Sequence, residues 1–189
     1  MVVTSDHGEE FGEHGRFEHT QVYEECLRVP LIVRVPGRTR GVVRNDPVEL
    51  VDVMPTVLAK LSIRIPDAAQ GRALTLDSGA GVGTPMSWAE TNEPEPQVAW
   101  RDGRRKVVLF PRDEARAEVF DLSQDPREEH ALPLTGDTAR LLENVRRELA
   151  RLRATAGERR QRFGLEPVER SPLPFREDQT AELRALGYL

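Results

Sequence analysis

The sequence has 189 residues, of which 38% are hydrophobic, 31% charged and only 5% aromatic, and its formal net charge is −5 at pH 7. This length is enough for one domain or slightly more with a buried core, and the acidic balance argues against nucleic acid as the main partner. A single cysteine excludes an internal disulfide, no apolar run is long enough to cross a membrane, and the first residues lack the pattern of a signal peptide.

The first part of the chain alternates strands, a loop and a short helix. "MVVTSD" (1–6) is predicted to be the end of a buried strand with a polar exit, and "GEEFGEHGRFEH" (8–19), with three glycines and no clear period, a loop. "VYEECL" (22–27) predicts a short helix, and "RVPLIVRVPG" (28–37) a second buried strand closed by Pro-Gly. This succession indicates an α/β fold.

The segment "VELVDVMPTVLAKLSI" predicts a helix whose start is fixed by a proline. Because Pro55 cannot lie in the middle of an unbroken helix, we expect Asp52 at the N-cap and Pro55 in the first turn, where its missing N–H costs nothing. Val57, Leu58 and Leu61 are then expected to face the core.

Strand patterns dominate the following region. "MSWAET" (86–91) is a candidate strand, and "QVAWRDGRRKVVLFP" (97–111) predicts a hairpin that turns at Asp102-Gly103. "AEVFDL" (117–122) predicts a third strand. The basic cluster "RDGRRK" is expected to be a charged hairpin turn.

The clearest helix in the sequence is predicted over residues 138–156. Asp137 or Thr138 is expected to cap it and Gly157 to end it. Alternating Glu and Arg indicate a salt-bridged solvent face. The expected apolar stripe consists of Leu141, Val145, Leu149 and Leu152.

Three parts are expected along the chain. Residues 1–65 would be the end of an α/β core that carries the candidate site, and 66–96, rich in Gly, Pro and Asp, a variable loop region. Residues 97–189 would form a C-terminal α+β subdomain, a small antiparallel sheet with a packed helix. Within it, 158–179 predict a surface arm and 180–189 a short terminal helix.

Asp6 and His7 are candidate metal ligands, because they follow the first strand, where α/β proteins place their sites. At a strand end the backbone can turn, so both side chains can converge on one ion. A carboxylate oxygen with an imidazole nitrogen suits Mn²⁺, Zn²⁺, or Ca²⁺ with an imidazole substitute. Alternatively, Asp6 caps the following turn and His7 bonds to the backbone.

His19 is the second candidate, twelve residues further on. Near a metal it could hold an anionic oxygen or protonate a leaving group. The spacing alone favours a surface loop histidine instead. Glu9 and Glu10 either orient the loop or are solvated, and we expect them to be solvated.

The motifs resemble, in order, the late part of the sulfatase family within the alkaline-phosphatase superfamily. The resemblance covers nearly the whole chain and rests on "TSDHGEEFGEHG", "YEECLRVPLIVRVPG", "VELVDVMPTVL", "RDGRRKVVLF", "AEVFDLSQDPREEHAL" and the ending "LRALGYL". It implies an α/β fold, the C-terminal portion of an alkaline-phosphatase-like sulfatase.

The resemblance also implies roles for individual residues. Asp6 and His7 would be two of four protein ligands to a catalytic divalent metal. Ca²⁺ is expected from the family, whereas the Asp-His form also occurs in phosphonate monoester hydrolases and related phosphoesterases that use Mn²⁺ or Zn²⁺. His19 would contact the sulfate or the leaving-group oxygen, as a catalytic and substrate-binding residue, and His14 would hold the loop in shape.

The nucleophile of the family is not found in this sequence. It is a formylglycine made from Cys or Ser in a C/S-x-P-x-R motif, and neither "CLRVP" at Cys26 nor "SPLPFR" at Ser171 fits. We therefore expect a fragment, a truncated or mis-started product, or a chain completed by a partner. Alone it is expected to be inactive, with "PLIVRV" at an open sheet edge.

The expected function is sulfate-ester hydrolysis by metal-assisted nucleophilic attack in the complete enzyme. Two alternatives stay open, a phosphoesterase or phosphonate monoester hydrolase of the same superfamily and a non-catalytic binding module. The sequence does not identify the ester. Relatives are often periplasmic, membrane-anchored or secreted, so the localisation of this chain also stays open.

Overall fold

The fold is described from a computed structural model, which describes residues 1–37, 39, 41–76, 86–91, 95–164 and 184. The chain divides into two compact units, Met1–Arg151 and Leu152–Leu189. The terminal helix predicted over 180–189 lies outside the described residues, apart from Arg184.

The two strands predicted in the first part form a small sheet of their own. Strand β1 (Val2–Thr4) pairs antiparallel with β4 (Leu31–Val33), so that Val3 lies opposite Ile32. The prediction that both strands are buried is wrong for this chain, since Ile32 is 57% exposed. Within the described residues this sheet has two strands, and one of its faces is open to solvent.

The predicted loop between these strands contains a short hairpin. Strands β2 (Glu10–Phe11) and β3 (Phe17–Glu18) pair antiparallel around a 3₁₀ turn, Glu13–Gly15. Helix α1 (Glu24–Leu27) follows, where a short helix is predicted. The candidate residues lie on either side of this hairpin, with Asp6 and His7 between β1 and β2 and His19 directly after β3.

A 3₁₀ turn, Leu50–Asp52, leads into helix α2 (Val53–Lys60), with Pro55 near its start as predicted. The predicted inward face is wrong, because Leu61 is 63% exposed and the buried residues are Asp52, Pro55 and Thr56. Asp52 does not cap α2 with its side chain. Instead its carboxylate accepts the N–H groups of Glu49 and Arg72. These two hydrogen bonds hold the segments around Glu49 and Arg72 at the start of the helix.

The second half of the described chain contains a four-stranded antiparallel sheet in sequence order. Its strands are β5 (Ser87–Thr91), β6 (Gln97–Arg101), β7 (Arg105–Leu109) and β8 (Ala117–Asp121), which confirms the predicted strands and hairpin. The hairpin turns at Asp102-Gly103, where Gly103 has a φ of +91°. The Asp102 carboxylate accepts the N–H groups of Arg104 and Arg105.

Both faces of this sheet are covered, which explains the continuous apolar runs in β6 and β7. One face packs against helix α3 (Gly136–Arg162) through Leu142 and Val145. The other packs against Val22 and Tyr23, which lie directly before α1. The β5–β8 sheet therefore supports the segment between β3 and α1, which contains Val22 and Tyr23.

Helix α3 is longer than predicted. It begins at Gly136 and continues past Gly157 to Arg162, so that Gly157 does not end it and residues 158–162 are not an arm. The hydroxyl of Thr138 accepts the Thr135 N–H at the start of the helix. Of the predicted stripe, Val145 is buried and Leu152 is exposed. None of the helices in the described ranges has the length and apolar composition needed to span a membrane.

Candidate functional site

A close backbone contact holds the exit of β1 against α1. The Gly8 N–H donates to the Cys26 carbonyl oxygen at 2.7 Å. A Cβ atom at Gly8 would lie 1.8 Å from the carbonyl oxygen of Glu25, so only glycine fits at this position. The contact fixes the backbone between Asp6 and the hairpin.

Asp6 and His7 lie on the same side of this backbone. The Asp6 Oδ2 atom is 3.8 Å from Nε2 of His7, and the Asp6 side chain is 79% exposed. A hydrogen bond from its own backbone N–H and the charge of His7 hold the pKa of Asp6 below its ordinary value. The carboxylate is therefore ionised and accessible to a cation.

The His7 ring is held in one orientation. Its Nδ1 atom donates to the Gly8 carbonyl oxygen at 2.8 Å, since a carbonyl oxygen can only accept. The opposite nitrogen, Nε2, is inaccessible to solvent and has no hydrogen-bond partner among the described residues. A backbone hydrogen bond on one nitrogen and an unused lone pair on the other are typical of a metal-ligating histidine.

His19 comes to the same place as His7. The two imidazole rings stack with centroids 3.9 Å apart and an angle of 22° between their planes. Nδ1 of His19 lies 3.6 Å from Oε2 of Glu9. The structure thus places Asp6 and His19 each in contact with His7. Glu9 lies beside His19 with 44% of its side chain exposed, which agrees with the expectation that it is solvated.

His14 lies apart from this group and ties the hairpin to the C-terminal half of the chain. Its Nδ1 faces the Glu25 carboxylate at 2.6 Å and its Nε2 faces the Glu128 carbonyl oxygen at 3.0 Å. Only the imidazolium can donate at both nitrogens. The ring also stacks on Tyr23 at 3.7 Å. These contacts agree with the predicted role of His14 in holding the loop.

The pKa of His14 reflects two opposing effects. Burial lowers it, but the hydrogen bond to Glu128 and the hydrogen bond and charge of Glu25 outweigh burial and raise the pKa above its ordinary value. His14 therefore keeps its proton, and with it both donors, to a higher pH than an ordinary histidine.

Glu10 is the clearest error among the expected solvated residues. It is buried at 1% exposure and accepts the Thr20 N–H, whereas its strand neighbour Phe11 is 74% exposed. Burial raises the pKa of Glu10. The alternation of a β-strand is the signal that could have found it, but strand β2 has only two residues.

The sequence also gave no sign of a buried network of charged side chains between the β6–β7 hairpin and helix α1. Lys106, from the cluster expected to be a charged turn, is fully buried and pairs with Glu128 at 2.7 Å and with Glu24 at 3.3 Å. Glu24 in turn accepts from Arg101, and its N–H donates to Glu128. The network connects β6, β7 and the turn after β8 to the start of α1.

Similarity to known proteins identifies the family. The model of the family described as N-sulphoglucosamine sulphohydrolase, C-terminal, matches residues 12–155. The chain belongs to this family, and its solved neighbours include sulfatases of the alkaline-phosphatase superfamily, which confirms the resemblance and the fold class.

Individual relatives agree with the family match. The chain is 32% identical over 140 residues to an N-acetylglucosamine-6-O-sulfatase of Bacteroides thetaiotaomicron, covering 68% of this chain and 25% of the relative. The structure of BT4656 in complex with D-glucosamine-2-N,6-O-disulfate is 25% identical, with a TM-score of 0.60 over 90% of this chain and 36% of that one. A phosphonate monoester hydrolase from Silicibacter pomeroyi is 28% identical, with a TM-score of 0.58 over 85% and 34%. The chain spans about a quarter of the length of the curated relatives it matches.

Proposed function

We propose that this chain is the C-terminal part of a sulfatase that hydrolyses sulfate esters once the rest of the enzyme is present. The observation that carries the proposal is the contact of His7 with both Asp6 and His19 at the exit of β1, in a chain of a sulfatase family. The names of the family and of one relative refer to glucosamine sulfates, which makes a sulfated amino sugar the first ester to assay.

Asp6 and His7 are the proposed metal ligands. The unused Nε2 of His7, with Nδ1 fixed by the Gly8 carbonyl, fits this role, as does the accessible Asp6 carboxylate. The ion would be Ca²⁺ by family, or Mn²⁺ or Zn²⁺ because of the Asp-His pair. When bound, a divalent ion supplies positive charge that stabilises the developing negative charge on the ester oxygens.

His19 is the proposed substrate contact. Its ring is braced by the stack on His7 and by Glu9, so an N–H of the imidazole can be held toward the ester. A positioned imidazole can hold an anionic oxygen or give a proton to the leaving-group oxygen. His14 is proposed to position the hairpin without touching substrate.

The nucleophile and the remaining ligands are proposed to come from another segment of polypeptide, in the same chain or in a partner. The support is the absence of C/S-x-P-x-R from these 189 residues and the exposed apolar side chains of Val3 and Ile32 on the β1–β4 sheet. Additional strands or helices of an α/β core would cover these side chains.

A chimaera tests the proposal. The chain replaces the matching segment of the Bacteroides thetaiotaomicron relative, and hydrolysis of 4-nitrophenyl sulfate and of glucosamine 6-sulfate is measured for the chimaera and for the isolated chain. We expect turnover by the chimaera only, and a loss of about 100-fold in kcat with His19→Gln. Metal-dependent turnover by the isolated chain, or a folded but inactive chimaera, would contradict the proposal.

A phosphoesterase or phosphonate monoester hydrolase is the second candidate. It is favoured by the Asp-His pair and by the similarity to the Silicibacter pomeroyi enzyme. Paired assays of the chimaera with 4-nitrophenyl sulfate, 4-nitrophenyl phosphate and a phosphonate monoester separate the two. A kcat/KM higher for the phosphorus esters would favour this candidate over the sulfatase.

A further inference from the structure

Glu128 lies in the turn after β8, outside the candidate site, and its side chain is completely buried. Its φ is +58°, in the left-handed region that favours glycine. The Glu128 N–H donates to the Asp125 carbonyl oxygen at 3.3 Å, so Glu128 is the fourth residue of a β-turn, a position that also favours glycine. A glutamate under this strain indicates that its side chain has a role that glycine could not fill.

The Glu128 side chain is connected to His7 through helix α1. Its Oε2 accepts the N–H of Glu24, the first residue of α1, at 2.7 Å. Near the other end of α1, the Cys26 carbonyl oxygen accepts the Gly8 N–H at 2.7 Å. The Gly8 carbonyl oxygen in turn accepts Nδ1 of His7 at 2.8 Å. The orientation of the His7 ring therefore depends on the place of α1, which the Glu128 carboxylate helps to fix.

The Glu128 backbone is connected to the hairpin that precedes His19. The Glu128 carbonyl oxygen accepts Nε2 of His14 at 3.0 Å, and His14 lies in the turn between β2 and β3. Nζ of Lys106 in β7 lies 2.7 Å from Oε1 of Glu128. One residue thus supports the hairpin through its main chain and α1 through its side chain, and links both to the β5–β8 sheet.

We propose that Glu128 is a positioning residue, which acts through His7 and His19 by holding both in the geometry that the sulfatase needs. The inference rests on the proposed function. Partners that orient a metal-ligating histidine affect the reaction through that orientation, and a displacement of about 1 Å can lower a rate about 100-fold. The Lys106 ammonium compensates the buried charge of the Glu128 carboxylate.

Two double variants separate positioning from the removal of buried charge. Lys106→Met/Glu128→Gln removes both charges but keeps a side-chain oxygen that can accept the Glu24 N–H, whereas Lys106→Met/Glu128→Met also removes the acceptor. Amide hydrogen exchange of Gly8 is measured by NMR in the isolated chain, which needs no activity. We expect Gly8 to exchange at least about tenfold faster in the methionine variant than in the glutamine variant. Glu129→Met, at an exposed neighbouring position, is the matched control and should leave the rate unchanged.

The sulfatase chimaera reports the effect on the reaction. We expect kcat for 4-nitrophenyl sulfate to be about 10- to 100-fold lower in the variant with Glu128→Met than in the variant with Glu128→Gln, with a smaller change in KM. Circular dichroism verifies that both variants are folded at the assay temperature.

Two results would overturn the inference. The first is an equal Gly8 exchange rate in the two double variants, which would show that the Glu128 side chain does not hold α1 against Gly8, whatever activity the chimaera has. The second is faster exchange with an unchanged kcat, which would make the contact structural only. In a chimaera without activity, faster exchange in the methionine variant would still support the link from Glu128 to Gly8, and the proposed function alone would be contradicted.

Discussion

The two sheets of this chain are stabilised in different ways. The β5–β8 sheet is covered on both faces, and Val107, Val108 and Val119 are inaccessible to solvent. The β1–β4 sheet has two strands with exposed apolar side chains, and the hairpin beside it is held mainly by hydrogen bonds and ion pairs. The candidate site therefore lies on the part of the chain with the weaker apolar core and depends on the β5–β8 sheet for support.

The largest effect is expected from a core truncation in the β5–β8 sheet. Phe120→Ala removes a ring that is 2% exposed and packs with Tyr23, so we expect a loss of about 3–5 kcal/mol in the free energy of unfolding. Chemical denaturation followed by circular dichroism measures it. The matched control is Phe11→Ala in the hairpin, 74% exposed, with an expected change within about 0.5 kcal/mol. Equal losses in the two variants would remove the distinction between the regions.

The second effect concerns the ion pairs through which the β5–β8 sheet supports α1. Lys106→Met leaves the buried carboxylate of Glu128 without its cation, and we expect a loss of about 3 kcal/mol in unfolding free energy. Adding Glu128→Gln to Lys106→Met is expected to recover part of this loss, because the uncompensated charge is removed. The loss of unfolding free energy is therefore measured for both single variants and for the double variant. If the loss in the double variant equalled the sum of the two single losses, the two side chains would not be coupled.

Local patterns were sufficient to predict the β5–β8 sheet. The apolar runs of β6 and β7 and the Asp102-Gly103 turn are properties of neighbouring residues, and the structure confirms them. The burial of Lys106 could not be read in the same way, because its partner Glu24 is 82 residues away in sequence. A basic residue next to a turn is normally solvated, and only the tertiary contact reverses this expectation.

Local sequence was an equally incomplete guide to the candidate site. The spacing of His19 favoured a surface loop, and only the resemblance to sulfatases predicted that it would approach His7. The roles of Asp6, His7 and His19 toward a metal and a substrate stay predictions. Glu9 and Glu10 were both expected in solvent, since two consecutive carboxylates in a glycine-rich stretch give no sign of which one turns inward.

The third prediction concerns pH and the link between the two regions. The groups that face His14 are Glu10, Glu13, Tyr23, Glu25 and Glu128. The folded-state pKa of His14 is raised, so its contribution to stability is fully present below the ordinary pKa of about 6.5 and is lost as pH rises through the folded value. His14→Phe keeps a ring against Tyr23 but removes both donors.

We therefore expect the stability difference between wild type and His14→Phe to be largest at acidic pH, at about 1–3 kcal/mol, and to shrink as the pH rises. Denaturation midpoints from pH 5 to pH 9 measure it, and an NMR titration of the ring reports the pKa directly. Glu25→Gln is expected to weaken the same dependence. A stability difference that grows with increasing pH would reverse the assigned sign.

The smallest effect on stability is expected from a substitution of Arg104, which lies two residues before Lys106 in the same basic cluster. Arg104 is paired with Asp121, as Lys106 is with Glu128, but the Arg104 side chain is 69% exposed. Water screens such a pair, and ordering the long side chain offsets most of the attraction. Arg104→Gln should therefore leave the thermal midpoint indistinguishable from wild type, in contrast to Lys106→Met. The Asp121 carboxylate would keep its bonds to the hydroxyl and N–H of Ser123, which hold the turn after β8. A loss in Arg104→Gln as large as that in Lys106→Met would mean that charge, and not burial, determines how the β5–β8 sheet is stabilised.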